Sequence, residues 1–119
     1  METVADCLFC GIVAGDVPAD IVWSDDRTVA FRDIVPAAPV HVLVVPRRHI
    51  TDASKVTADD GDEVAALLVA AKAVADVEGI GEDDRGYRLI MNVGPDSLNS
   101  VPHLHLHVIG GRLLDGSPG

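Results

Sequence analysis

Basic side chains, aromatic rings and cysteines are all scarce in this 119-residue chain. Nine Lys and Arg stand against nineteen Asp and Glu, a formal net charge of -10. That balance excludes non-specific binding to DNA or RNA, which needs a basic surface. An anion could be held only in a local pocket lined by backbone N–H groups. With one Trp, one Tyr and two Phe, the core must be built from Val, Ile, Leu and Ala. The longest uncharged apolar run, Val64 to Ala71, is far too short to span a bilayer. The opening "METVADC" has neither a basic n-region nor an apolar h-region. These absences predict a cytoplasmic protein with no membrane or nucleic-acid partner. There is no internal repeat, low-complexity tract or linker, so residues 1–119 read as one domain. At 48% apolar content it has enough for a modest core. Only the closing "DGSPG" reads as frayed.

The local patterns predict α+β architecture: a five-stranded, mainly antiparallel sheet, one long helix and a short N-terminal helix. "DCLFCGIVAGDVPA" reads as a short helix or turn closed by Gly15 and Pro18. "IVWSDD" and "TVAFRDI" are strand-like around a "SDDR" turn, and "VHVLVVP" is a buried strand stopped by Pro46. Thr57 is the expected N-cap of the long helix, with Asp60 three residues on as a weak capping box. Apolar residues wrap most of that helix from about Ala58 to Glu78. Either a two-fold partner covers a second face, or alanine is tolerated there simply as a good helix former. "GYRLIMNV" is a further strand, and the polar loop "GPDSLNS" leads from it into the last one.

That last stretch, "SVPHLHLHVIGG", spends three of the chain's five histidines at alternate positions: His103, His105 and His107. Alternation with Leu104, Leu106 and Val108 marks a half-buried strand. It sends the three imidazoles to one face, about 7 Å apart, and the aliphatics to the core. A solvated face, a metal site and acid–base or nucleophilic chemistry are the three readings of such a face. Cys7 and Cys10 form a single C-x-x-C, half of a tetrahedral zinc site. The other half would come from the histidines, which also include His41 and His49. A redox pair is disfavoured because no strand precedes the cysteines; two small buried hydrophobes remain the simple alternative.

"HLHLHVI", with "VPA", "FRDIVPAAPVHVLVVPRRHI" and "MNVG…SVPHLHLHVIGG" in that order, resembles the histidine-triad family of nucleotide hydrolases and transferases. The likeness runs from about Cys7 to Arg112 and is strongest to the Hint-type branch of nucleoside phosphoramidases. It implies that His105 is the nucleophile at the α-phosphorus, with a covalent nucleotidyl-histidine intermediate. It places His107 and His41 by the scissile bond, Ser100 and loop N–H groups around the phosphate, and Asn99 and Val101 among the nucleotide-binding residues. Asp33 would receive the ribose and Leu8, Phe9, Ile12, Phe31 and Ile34 the base, a purine by preference, with Asn92 as a further polar contact. In zinc-binding bacterial members His103 joins His49 and the two cysteines, which implies a structural zinc on Cys7, Cys10, His49 and His103 and no metal in the chemistry. The family also implies a two-fold homodimer with paired helices. The chain departs from the branch at Leu98, where a glycine is usual, at Asn99, where glutamine is usual, and in a C-terminus without tryptophan. Rival readings are a dinucleoside polyphosphate hydrolase and a non-enzymatic, zinc-containing nucleotide-binding or scaffolding dimer. The nucleotidyltransferase branch usually has glutamine where this chain has His107.

Overall fold

The computed structural model describes residues 6–116. The tip of the expected frayed terminus, 117–119, and most of the opening segment, 1–5, lie outside them. The elements are α1 (Leu8–Ala14), β1 (Ile21–Ser24), β2 (Thr28–Arg32), β3 (Val40–Pro46), α2 (Gly61–Val77), β4 (Tyr87–Ile90) and β5 (Leu106–Gly110). The strands form one sheet in the order β1-β2-β3-β5-β4, and every neighbouring pair is antiparallel. This is the α+β architecture expected from the patterns.

The sheet has two dry faces, because both helices belong to it. In β3, Val42 and Val44 join α2's Leu67, Ala70, Ala71, Val74 and Ala75 on one side, with Leu104, Leu106 and Val108. Leu43 and Val45 point the other way, onto Phe9, Cys7, Cys10, Val29 and Phe31. That explains why "VHVLVVP" reads as an unbroken apolar run: a strand covered on both faces has no polar side. Leu67 is fully buried, and truncation to alanine there costs about 2–5 kcal/mol.

Local chemistry sets the helix ends. α1 stops at Gly15, whose φ of 83° suits a residue without Cβ. The long helix starts through a 3-10 turn, Ala58–Asp60, capped by Thr57. The Thr57 N–H donates to Asp60 Oδ2 at 2.9 Å, completing the capping box, and Arg48 pairs with Asp60. No helix among the described residues is long and apolar enough to cross a membrane.

One expectation needs correction. The regular strand begins at Leu106, so His103 and His105 precede its ladder. The Leu104 N–H donates to the Ile50 carbonyl at 2.6 Å rather than to a strand partner, and the His103 N–H turns back to Val101 O. The alternation of side chains survives in this extended lead-in. Leu104, Leu106 and Val108 enter the α2 core, while His103 and His105 are buried on the α1 side.

Candidate functional site

The sheet face opposite α2 carries two groups of imidazoles. The first brings together Cys7, Cys10, His49 and His103, whose donor atoms all lie within 4.8 Å of one another. His103 Nδ1 is 3.3 Å from Cys7 Sγ, 3.4 Å from Cys10 Sγ and 3.2 Å from His49 Nδ1. Cys10 Sγ is 3.3 Å from His49 Nδ1. A tetrahedral ion with bonds of about 2.0–2.3 Å has donor–donor edges of about 3.3–3.8 Å, so the donor set fits such a cation. The tautomer fits as well. The His103 Nε2–H donates to the Pro46 carbonyl at 2.9 Å, which leaves Nδ1 with its lone pair toward the thiols. Burial lowers the His103 pKa from 6.5 to about 4, keeping the ring neutral, as a ligand must be.

The second group is His41, His105 and His107. Its protons can be placed from the neighbours. The His105 Nδ1–H donates to the His103 carbonyl at 2.7 Å, so its Nε2 keeps the lone pair. The Ala37 N–H donates to His41 Nδ1 at 2.9 Å, so the His41 proton sits on Nε2. That proton faces His107 Nδ1 at 2.8 Å, with Asp33 Oδ2 at 3.4 Å from the same nitrogen. The proton of a neutral His107 is therefore on Nε2. Among the described residues, the buried side-chain atoms without a hydrogen-bond partner are His107 Nε2 and Asn99 Oδ1. Burial lowers the His41 pKa against the opposing pull of Asp33. The His107 pKa falls to about 4, through burial first and then through His105 and His41. Both rings are thus held neutral near pH 7. The result is a lone pair on His105 beside a directed N–H on His107, with the two ring centroids 5.1 Å apart.

A cavity of about 700 Å³ opens onto this pair. Its wall brings together Leu8, Phe9 and Ile12 from α1, Phe31, Asp33 and Ile34 around the end of β2, and Ser100, Val101, His105 and His107. Phe9 stands edge-on to His105, centroids 5.2 Å apart at 86°, and packs against Phe31 in the same way. Ile34 is 95% exposed, an apolar rim with nothing yet covering it. Asp33 Oδ1 is engaged by the Val35 N–H at 2.9 Å.

Three expected site residues sit elsewhere. His41 lies behind His107 rather than on the cavity wall. Asn99 lines a second, neighbouring cavity, and Asn92 borders neither. The reading of the sequence missed Val17, Pro18, Ala19, Asp20, Arg32 and Leu43, which complete the main wall. The "DVPA" turn after Gly15 was the signal for the first three, with Asp20 following directly. Leu43 was visible only as one side of a buried strand.

An antiparallel sheet with alternating histidines on one face, closed by a short helix that also brings two thiols, defines a histidine-triad architecture. The HIT domain family model matches residues 14–114, and the chain belongs to that family. It is 40% identical over 116 residues to a 14 kDa zinc-binding protein of Brassica juncea, covering 96% of this chain and 100% of that one. It is 41% identical over 114 residues to the adenylylsulfatase HINT1 of Arabidopsis thaliana, covering 94% of this chain and 76% of that protein. The crystal structure of a HIT family hydrolase from Legionella pneumophila superposes with a TM-score of 0.91 at 44% identity, covering 96% of this chain and 100% of that one.

Proposed function

We propose that this chain hydrolyses nucleotides in which the α-phosphorus carries an amine or similar leaving group, through a nucleotidyl-histidine on His105. The observation that carries this reading is the proton arrangement of the histidine pair. His105 Nε2 has its lone pair because its own backbone neighbour, the His103 carbonyl, holds the other nitrogen's proton. The base enters the apolar end of the cavity, whose volume suits a purine, and Asp33 receives the ribose hydroxyls. Ser100, Val101 and loop N–H groups hold the phosphate. His105 Nε2 attacks phosphorus, and the P–N bond breaks as the leaving nitrogen, protonated from solvent, departs as the free amine with the His107 Nε2–H donating a hydrogen bond at that side; the water of the second step returns one proton to solvent. Water then attacks the same phosphorus, breaks the P–His105 bond and releases the nucleoside monophosphate. Splitting one displacement into two lowers each barrier, and a donor set in place beforehand costs no reorganisation.

Cys7, Cys10, His49 and His103 would hold a zinc ion. Four protein ligands leave no open position, so the metal would brace α1 against the sheet rather than activate water. The relative named as zinc-binding and the fit of the donor set support this assignment. The outward face of α2 supports a homodimer: Leu68, Val69 and Val77 are more than half exposed, and Ala65 is exposed beside them. Sedimentation of wild type and Val69→Glu tests it, with dissociation expected only in the variant.

The test of function is turnover of an adenosine 5'-phosphoramidate and of a diadenosine polyphosphate, with mass analysis of the trapped enzyme. An adduct of one nucleotidyl group on a peptide containing His105, with the phosphoramidate the better substrate, is expected. An active enzyme whose adduct never maps to His105 removes the mechanism.

A further inference from the structure

Arg27, Arg32 and Arg48 each meet carboxylates. Arg112 spends its guanidinium on two backbone carbonyls instead, in a chain whose acids outnumber its bases nineteen to nine. Its Nη1–H donates to Leu113 O at 3.0 Å and its Nη2–H to Ala37 O at 3.2 Å. A planar fork of donors spans two acceptors in this way. Gly111 puts Arg112 in reach. Its φ is 93°, and a Cβ there would lie 3.0 Å from Pro39 Cβ and 3.2 Å from the Val40 nitrogen. Glycine is what lets the turn after β5 lie against the loop that precedes β3.

That loop, residues 33–39, has few bonds of its own. Pro36 and Pro39 have no N–H to give. The Asp33 N–H donates to His41 O at 3.0 Å and the Val35 N–H to Asp33 Oδ1 at 2.9 Å, both local ties. Ala37 is held from two sides. Its N–H donates inward to His41 Nδ1 at 2.9 Å, and its carbonyl accepts outward from Arg112. Among the described residues, Arg112 is the side chain that hydrogen-bonds this loop from beyond β3. The Ala37 N–H keeps the His41 proton on Nε2, facing His107 Nδ1 at 2.8 Å, and so keeps the His107 proton on Nε2. Without that donor both tautomers are open to the His41 ring.

We propose that Arg112 is a positioning residue for the histidine pair: it holds Ala37 from outside, so that the Ala37 N–H fixes the tautomer of His41 and, through it, that of His107. Arg112 touches neither ring; it acts through one loop residue. The kinetic consequence rests on the hydrolase reading, while the control of the tautomers stands on the geometry alone. A donor displaced by a fraction of an ångström loses much of its effect on a reacting group, so the loss of Arg112 should be felt in the chemical step more than in nucleotide binding.

The experiment compares wild type with Arg112→Met, which keeps the length without the donors, and Arg112→Lys, which keeps one charged donor. Arg85→Ala is the control, since Arg85 lines the same surface cavity as Arg112 and its loss changes the charge equally. With an adenosine 5'-phosphoramidate, Arg112→Met should lower kcat about fivefold to tenfold and change KM by less than about twofold. Arg112→Lys should recover most of the loss, and Arg85→Ala should match wild type. Imidazole nitrogen spectra should show the His41 proton on Nε2 in wild type and a second tautomer, protonated on Nδ1, in Arg112→Met. Unchanged His41 and His107 spectra in Arg112→Met overturn the proposal whatever happens to kcat, and so does an equal loss in Arg85→Ala. Arg112 is exposed, so an Arg112→Met protein that fails to fold also overturns it, by showing a structural role. Folded wild type that turns over no nucleotide, with the spectra as expected, removes the hydrolase reading and supports the control of the tautomers.

Discussion

His103 and His105 are two residues apart, both buried and both tied to a backbone carbonyl, yet they are prepared for opposite tasks. His103 gives its Nε2 proton to Pro46 O and presents Nδ1 to two thiols. His105 gives its Nδ1 proton to His103 O and keeps the lone pair on Nε2, on a ring that lines the cavity. On the proposed roles, what separates a ligand from a nucleophile is which ring N–H a carbonyl accepts from, not the imidazole or its burial. The same rule extends to His41, whose proton is fixed on Nε2 by an N–H rather than by a carbonyl.

The sharpest test of that contrast is the pair of single truncations. His105→Ala should lose several orders of magnitude in turnover while keeping nucleotide binding, as for removal of a nucleophile. His103→Ala should instead lose bound metal and thermal stability. Steady-state kinetics together with elemental analysis separates them, and a His105→Ala protein retaining more than about a tenth of wild-type activity would break the contrast.

Metal removal comes next in size. Protein purified without added metal should hold about one zinc per chain, and a strong chelator should lower the melting temperature by about 10 °C or more, since a structural site's binding energy is folding energy. Metal content near zero, with no response to chelation, would leave the first cluster as ordinary packing.

A smaller effect concerns acid. The His107 pKa is about 4 in the folded chain against about 6.5 when unfolded. Above pH 6.5 neither state is protonated and the group contributes nothing to the pH dependence. As pH falls from 6.5 toward 4 the unfolded chain takes up a proton that the folded chain refuses, so stability declines through that window. The urea midpoint of wild type should therefore fall more steeply there than that of His107→Gln. Imidazole nitrogen spectra at pH 6 should show His107 neutral with its proton on Nε2.

The least effect is expected at the loop that feeds both clusters. Leu98 is the non-glycine residue with positive φ, 63°, among those described, and its side chain is 87% exposed. Holding a leucine there costs about 1–2 kcal/mol, partly returned because glycine is freer when unfolded. Leu98→Gly should raise stability by about 0.5–1 kcal/mol, read as a shift in the urea midpoint.

Much of this was legible in the residues. Strict alternation around His105 gave the face, Thr57 with Asp60 gave the helix start, and the C-x-x-C gave half of the metal cluster. The fold class followed from periodicity, because strands and helix were well separated by proline and glycine. Tautomers were not legible, since they depend on carbonyls contributed from outside the triad or along it, at Pro46 and His103. Nor was the late start of β5, which follows from Leu104 finding its partner at Ile50 instead of on a strand. Asn99 was expected among the nucleotide-binding residues, but one step along the loop decides which of two cavities a side chain lines. Asn92 lies just past the end of β4, where loop geometry rather than strand alternation sets its direction.

The four-residue cluster has one more consequence, for the order in which the molecule opens. α1 is only seven residues long, too short to hold helical structure by itself in water, yet it supplies one wall of the main cavity. An ion held as proposed by Cys7, Cys10, His49 and His103 would tie it to the sheet side across most of the sequence. With those four residues joined, the backbone amides of α1 should exchange with deuterium as slowly as those of β3. Once the tie is cut, α1 should become an early-opening cooperative unit, exchanging well before the sheet and carrying the cavity wall away with it.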